Sequence, residues 1–285
     1  NQAYIPAGTR LPSELLIGVL SKAPTSDRAR TGQTWLGSPA IPLPKREPAP
    51  AFPDHLTFRP NPLRRVARGL TEALRIVGPQ SYMVAAGYVI VLAVMPLGES
   101  SEWVDLTLAL AGCGLLFGLS SVVALAVLKW LLIGRYQQRA AAMWTPFVWA
   151  SEAITNIYES LVVPSFLNFL RGTPWLPLVL RVLGCRVGRG TYLDTTNVTE
   201  FDCVHIGEHC ELNGLALPQT HLFEDRVMKI DQVRIGDRVT MGARSIALYG
   251  SEVGNDVRIA PLTLVMKGER LGAGTAWRGI PAERA

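Results

Sequence analysis

The chain has 285 residues, a formal net charge of +5 and four cysteines; 48% of its residues are apolar and only 18% charged. The four cysteines make no C-x-x-C pair and are uninformative about disulfide stabilisation. The positive balance does not point to nucleic acid, because the arginines gather beside long apolar runs and no basic patch is interleaved with aromatics.

Residues 1–23 contain Ile5-Pro6-Ala7-Gly8-Thr9 and Ile17-Gly18-Val19. They resemble the chain's own end, where Leu271-Gly272-Ala273-Gly274-Thr275 precedes Trp277-Arg278-Gly279-Ile280-Pro281-Ala282. We read them as the tail of a preceding, similar domain, and the chain, which does not start with methionine, as a fragment of a larger polypeptide. Residues 24–62 hold nine prolines and little periodicity, the composition of an extended linker.

Residues 63–140 read as a pair of membrane helices with basic flanks. Residues 76–98 and 106–128 are free of charge, and each run is long enough to span a bilayer as a helix. Arg59, Arg64, Arg65, Arg68 and Arg75 lie before the pair and Lys129, Arg135 and Arg139 after it, while Glu99, Glu102 and Asp105 lie between. The positive-inside rule then places both outer ends in the cytoplasm. Polar residues within the runs include small ones such as Ser81, Thr107, Ser120 and Ser121, and none is charged, so no transport role is expected. Residues 141–183 carry Trp144, Trp149, Tyr158 and Trp175 among apolar residues and prolines, and are expected to form amphipathic helices at the membrane surface.

Residues 184–285 carry a hexapeptide repeat. Ile235, Met241, Ala247, Val253, Ile259, Val265 and Leu271 recur every six residues, and four of the seven are followed at once by glycine. One short strand and one turn fill six residues, so this step returns each apolar side chain to the same inward corner. The following glycine is expected to supply a positive φ for the turn. Val233, Val239, Ser245, Ser251, Val257 and Thr263, two positions earlier, are small or β-branched and suit a narrow interior. Upstream the phase slips. Val187 to Ile206 is one residue longer than three hexads, which implies a bulge. Leu212 to Ile235 is one short of four, and residues 213–232 read as a loop thrown out of the coil.

That loop carries the candidate chemistry. His221 is the candidate general base, since imidazole titrates near neutrality, and Glu224 or Asp225 is expected to orient its ring. Cys203, His205, His209 and Cys210 do not share one face at a six-residue step, so no metal site is expected.

Several motifs match a known family. Trp35-Leu36-Gly37-Ser38-Pro39 with Leu43-Pro44-Lys45-Arg46, Leu161-Val162-Val163-Pro164, Gly190-Thr191-Tyr192-Leu193-Asp194-Thr195-Thr196 and, above all, Gln219-Thr220-His221-Leu222-Phe223-Glu224-Asp225-Arg226-Val227-Met228-Lys229 carry the likeness. On them the chain resembles the membrane-bound C-terminal region of polylysine-synthetase-type nonribosomal peptide synthetases. The resemblance implies a left-handed parallel β-helix of the hexapeptide acyltransferase type, one of three tandem copies behind adenylation and carrier domains.

The implied reaction joins an aminoacyl thioester on the phosphopantetheine of a carrier domain to the amine of a free amino acid. His221 would be its base, and backbone amides or the Asn213 side chain its oxyanion donors. The implied setting is a multi-pass protein of the bacterial cytoplasmic membrane with the prism facing the cytoplasm. Two other readings stand beside it: a membrane-anchored hexapeptide acetyltransferase using acyl-CoA, and a non-catalytic prism completing a tandem pseudo-trimer.

Overall fold

The computed structural model describes residues 3–43, 50–98 and 103–285. Pro44, Lys45, Arg46, Glu99 and Glu102, which the sequence reading used, lie outside the described residues.

Between Arg186 and Arg284 the chain visits three sheets in turn. The first contains Arg186–Val187, Val204–Ile206, Val233–Ile235, Glu252–Val253 and Arg270–Leu271, all parallel. The second runs from Tyr192–Leu193 through Glu211–Leu212, Thr240–Met241 and Arg258–Ile259 to Ala276–Arg278, where Glu283–Arg284 closes it antiparallel. The third pairs Leu217–Gln219, Ile246–Leu248 and Leu264–Val265.

Register repeats every three hexads: Ile235 pairs with Val253 and Val253 with Leu271, while Met241 pairs with Ile259 and Ile259 with Trp277. The expected inward residues are buried, with Met241, Ala247 and Val265 fully enclosed, and the six small or β-branched positions before them are all 0% exposed. The hexad pattern therefore builds a coil of three parallel sheets around a narrow apolar core.

The glycines work differently from the expectation. Gly236, Gly242, Gly254 and Gly272 do not have positive φ; the left-handed residue lies three places after the inward one, at Arg238, Arg244, Asp256 and Leu262 and at Gly250, Gly268 and Gly274. A Cβ on Gly236 would overlap Asn255 Oδ1 and lie 2.9 Å from Asn255 N, and one on Gly254 would lie 2.8 Å from Ala273 N. Except at Gly272, where a Cβ would meet open space, these glycines let adjacent coils stack at backbone distance.

The described part of the N-terminal region also departs from the linker reading. Tyr4 bridges Lys22, and Leu16–Ile17 pairs in parallel with Thr34–Leu36 at the same three-hexad spacing; Ile41–Leu43 then folds back antiparallel. Ala23, Ala29, Trp35, Leu36 and Ala40 are buried, so residues 24–43 belong to a packed unit. The match to the chain's end is in fact Trp35 with Trp277. Each indole N–H donates to a side-chain oxygen two residues before it, Gln33 Oε1 at 3.2 Å and Thr275 Oγ1 at 2.7 Å, and each strand turns back two residues later at a positive-φ glycine, Gly37 or Gly279. This unit packs through Leu36 onto Ile246, Leu248 and Leu264 of the third sheet.

Two long helices follow: α1 (Pro62–Gly98) and α2 (Trp103–Leu132). Both are long and apolar enough to cross a membrane; only 6% and 28% of their most apolar windows are buried inside the molecule. Beyond α2, Arg139–Ala142 is a strand rather than part of a surface helix. Then come α3 (Pro146–Ile157), a π-helical segment (Tyr158–Leu167), α4 (Asn168–Leu170) and α5 (Trp175–Leu183). One face of this series, Ile154, Tyr158, Val162, Leu167, Leu176, Leu180 and Leu183, joins the coil core and the end of α2 in a single apolar cluster. The opposite side leaves Phe169, Trp175, Leu178 and Val182 exposed. The segment expected to lie on a membrane therefore roofs the coil and ties it to α2.

Candidate functional site

Both phase slips converge on one place. The extra residue between Val187 and Ile206 falls in residues 195–203, which pass the third sheet without adding a strand and close with a tight turn at Phe201–Cys203. Glu200 opens that turn with φ 41° and ψ 57°, a left-handed conformation that costs a residue bearing a Cβ about 1–2 kcal/mol.

The other slip is narrower than the sequence reading had it. Residues 213–219 stay in the coil, where Leu217–Gln219 pairs with Ile246–Leu248. The insertion is a hairpin of His221–Glu224 and Val227–Ile230, turned by Asp225 and Arg226 at φ 52° and 62°, with Arg139–Ala142 as its third strand.

His221 stands at the base of that hairpin. Its Nδ1 is 2.7 Å from Oε2 of Glu200, whose side chain is fully buried. Against a carboxylate, Nδ1 carries the hydrogen and Nε2 is left as the basic nitrogen. Thr220 donates its hydroxyl hydrogen to the same Oε2 at 2.6 Å, and Ser151 on α3 donates to Oε1 at 3.3 Å. Phe223 meets the imidazole edge-on, with ring centroids 5.6 Å apart.

The ring opens on a cleft of about 260 Å3 lined by Arg75, Ser151, Glu152, Thr155, Asn156, Glu159, Phe223 and Met228. Burial acts against a protonated His221, but the Glu200 charge and hydrogen bond, with Glu152 and Glu159 beyond, outweigh it and raise the pKa of the ring. Burial likewise opposes ionisation of Glu200, yet His221 and the Thr220 and Thr199 hydroxyls hold its pKa below the ordinary carboxylate value. Glu159 moves the other way: burial raises its pKa, only partly countered by His221. Glu152 is paired with Arg68 on α1 at 2.5 Å.

A second, apolar cleft of about 160 Å3 lies between the N-terminal unit and the third sheet, lined by Leu16, Ile17, Trp35, Leu222, Phe223 and Leu248 among others. Phe223 lines both clefts.

The residues chosen from sequence are only partly gathered here. Glu224 pairs with Lys229 at 2.9 Å and Lys267 at 3.4 Å, on the side of the second cleft, and Asp225 sits in the hairpin turn. Neither orients the imidazole; Glu200 does. Asn213 donates its side-chain N–H to the Met241 carbonyl at 3.1 Å, within the stack of coils, and does not line the His221 cleft. Sequence reasoning missed Glu200, Thr220, Ser151 and Glu159. Glu200 left a trace because it lies inside the one-residue excess, and Thr220 because it precedes His221 in the looped-out segment; Ser151 and Glu159 left none.

No family model matches the chain. It is similar to a protein named delta-poly-L-ornithine synthetase from Acinetobacter baumannii (strain AB307-0294), with 53% identity over 282 residues, covering 99% of this chain and 21% of that protein. Among solved structures, Neisseria gonorrhoeae serine acetyltransferase aligns at 14% identity over 79% of this chain and 91% of its own, with a TM-score of 0.31. Soybean serine acetyltransferase in complex with serine aligns at 16% identity over 76% and 97%, with a TM-score of 0.29. The chain is thus a homologue, along nearly all of its length, of one segment of that synthetase, and spans about a fifth of it.

Proposed function

We propose that this chain is an amide-forming, acyltransferase-like domain of a larger nonribosomal-peptide-synthetase-type polypeptide, and that the coil is a left-handed β-helix. The observation carrying the reading is the 2.7 Å contact between His221 Nδ1 and a fully buried Glu200 at the mouth of a cleft. Homology to a segment of a protein named as a polyornithine synthetase supports the same class of reaction.

The substrates are an aminoacyl or peptidyl thioester on the phosphopantetheine of a carrier domain and a free amino acid. The amine nitrogen attacks the thioester carbonyl and a C–N bond forms. Nε2 of His221 takes the proton released from nitrogen, Glu200 stabilises the resulting imidazolium, and the C–S bond breaks as the thiolate leaves and accepts that proton. The carboxylates of Glu152 and Glu159 suit an acceptor that carries a second, cationic amine. The apolar cleft that meets the first at Phe223 suits the slender, uncharged middle of the pantetheine arm. Helices α1 and α2 span the bacterial cytoplasmic membrane in this reading, with the coil on the cytoplasmic side.

The test is His221→Ala in the intact membrane polypeptide, given ATP and free amino acids, with carrier loading followed in parallel. Loss of peptide product with loading retained supports the reading. Product at the wild-type rate makes this coil a structural member of a tandem set, and product from acyl-CoA without any carrier supports a free acetyltransferase instead.

A further inference from the structure

Resting on the His221 reading, we infer that the C-terminal end of α2 positions the His221–Glu200 pair, through a buried polar chain of Lys129, Asp202, Tyr136 and Ser151. Lys129 lies in the last turn of α2, is fully buried and pairs with Asp202 at 2.6 Å. Asp202 is two residues from Glu200 in the same tight turn, whose Cys203 N–H donates to the Glu200 carbonyl at 2.7 Å. The Tyr136 N–H donates to Asp202 at 3.0 Å. The Tyr136 hydroxyl lies 3.2 Å from Ser151 Oγ, and Ser151 donates to Glu200. Ser151 has one hydrogen and gives it to the carboxylate, so Tyr136 donates to Ser151. Burial, then the Glu200 charge, push the Tyr136 pKa far up, which keeps that donor protonated.

The carboxylate of Glu200 is thus approached from two directions that both begin at the end of α2. The left-handed backbone at Glu200 needs such bracing, because its conformation is held by contacts and not by residue preference. A buried ion pair is a weak source of stability but fixes geometry well. A shift or rotation of α2 along its axis would move Lys129, hence the turn at Asp202 and the carboxylate that holds the imidazole. Helix α2 is in this way mechanically connected to the base.

The experiment titrates His221 directly, in the intact polypeptide, by the pH dependence of its carbethoxylation with diethyl pyrocarbonate, read by peptide mass spectrometry. The groups facing the ring are Glu200, Glu152, Glu159 and Arg75. The double variant Lys129→Met/Asp202→Asn removes both charges of the ion pair together, leaves all four facing groups in place and keeps an acceptor for the Tyr136 N–H. We expect the His221 midpoint to fall by about one pH unit and product formation to drop at least tenfold, with carrier loading unchanged.

Tyr136→Phe, which removes one hydroxyl, should lower the midpoint by a smaller step and covers the case where the double variant does not fold. A folded double variant with an unmoved midpoint overturns the inference, even if its rate has fallen, since a merely structural role lowers rate without moving the titration. If His221→Ala still makes product, the catalytic reading fails while the titration continues to judge the coupling.

Discussion

The regular coil and the two places where its period breaks are built from the same kind of strand, yet they differ in what holds them. In the regular part, each position is fixed by its place in the hexad: an enclosed apolar residue, a small or β-branched residue two before it, and, at Gly236, Gly242 and Gly254, a glycine against the next coil. At the breaks, Glu200 and His221 are held by polar contacts reaching in from α2, α3 and the hairpin. The repeat supplies a rigid wall, and the departures from it carry the ionisable groups. Energy in the wall is apolar and cooperative along the stack; energy at the breaks is local and polar.

The largest test of that contrast is on rate. His221→Ala should lower product formation by at least ~100-fold, and Glu200→Gln by ~10–100-fold, in the intact polypeptide with carrier loading unchanged and little change in melting temperature. A drop in melting temperature that accounts for the lost rate would erase the contrast. In the wall the pattern should invert. Met241→Ala, emptying a fully buried site, should cost about 2–5 kcal/mol in denaturant unfolding, and Gly236→Ala about 1–3 kcal/mol through overlap with the next coil, while product formation below the melting point stays near wild type.

A third, smaller effect concerns pH. The base works deprotonated and its pKa is raised, so the rate should climb with pH through a midpoint above the ordinary histidine value of 6.5. Glu159→Gln removes one of the charges that raise it, so the rising limb should move to lower pH, and the KM for a cationic acceptor should increase. A limb that moves upward would show that Glu159 acts on another group. The smallest effect is at Leu262, half exposed at φ 58°: Leu262→Gly removes the left-handed penalty and should change stability by less than ~1 kcal/mol, toward stabilisation, in a thermal melt.

Legibility in the sequence follows the same division. The hexads were readable because strand pairing at a fixed step repeats the same burial at Ile235, Val253 and Leu271, and the two long apolar helices because hydropathy accumulates over contiguous residues. His221 was readable as a histidine in an insertion of that coil. Its partner was not: the nearer acids, Glu224 and Asp225, are adjacent along the chain, but the hairpin's alternation and its turn send them elsewhere. Residues 24–43 also misread, because proline content signals extension and does not reveal a strand pairing with a segment eighteen residues back.

By itself, then, the sequence determined the periodic wall, the positions of its phase slips and the helix pair, all properties of a local or repeating pattern. Only the tertiary structure decided that Glu200 faces His221, that Lys129 at the end of α2 grips Asp202, and that the glycines after the inward residues serve stacking more than turning. Each of these depends on distances between segments far apart along the chain, and side-chain chemistry along one strand does not encode which distant carboxylate the fold will bring to it.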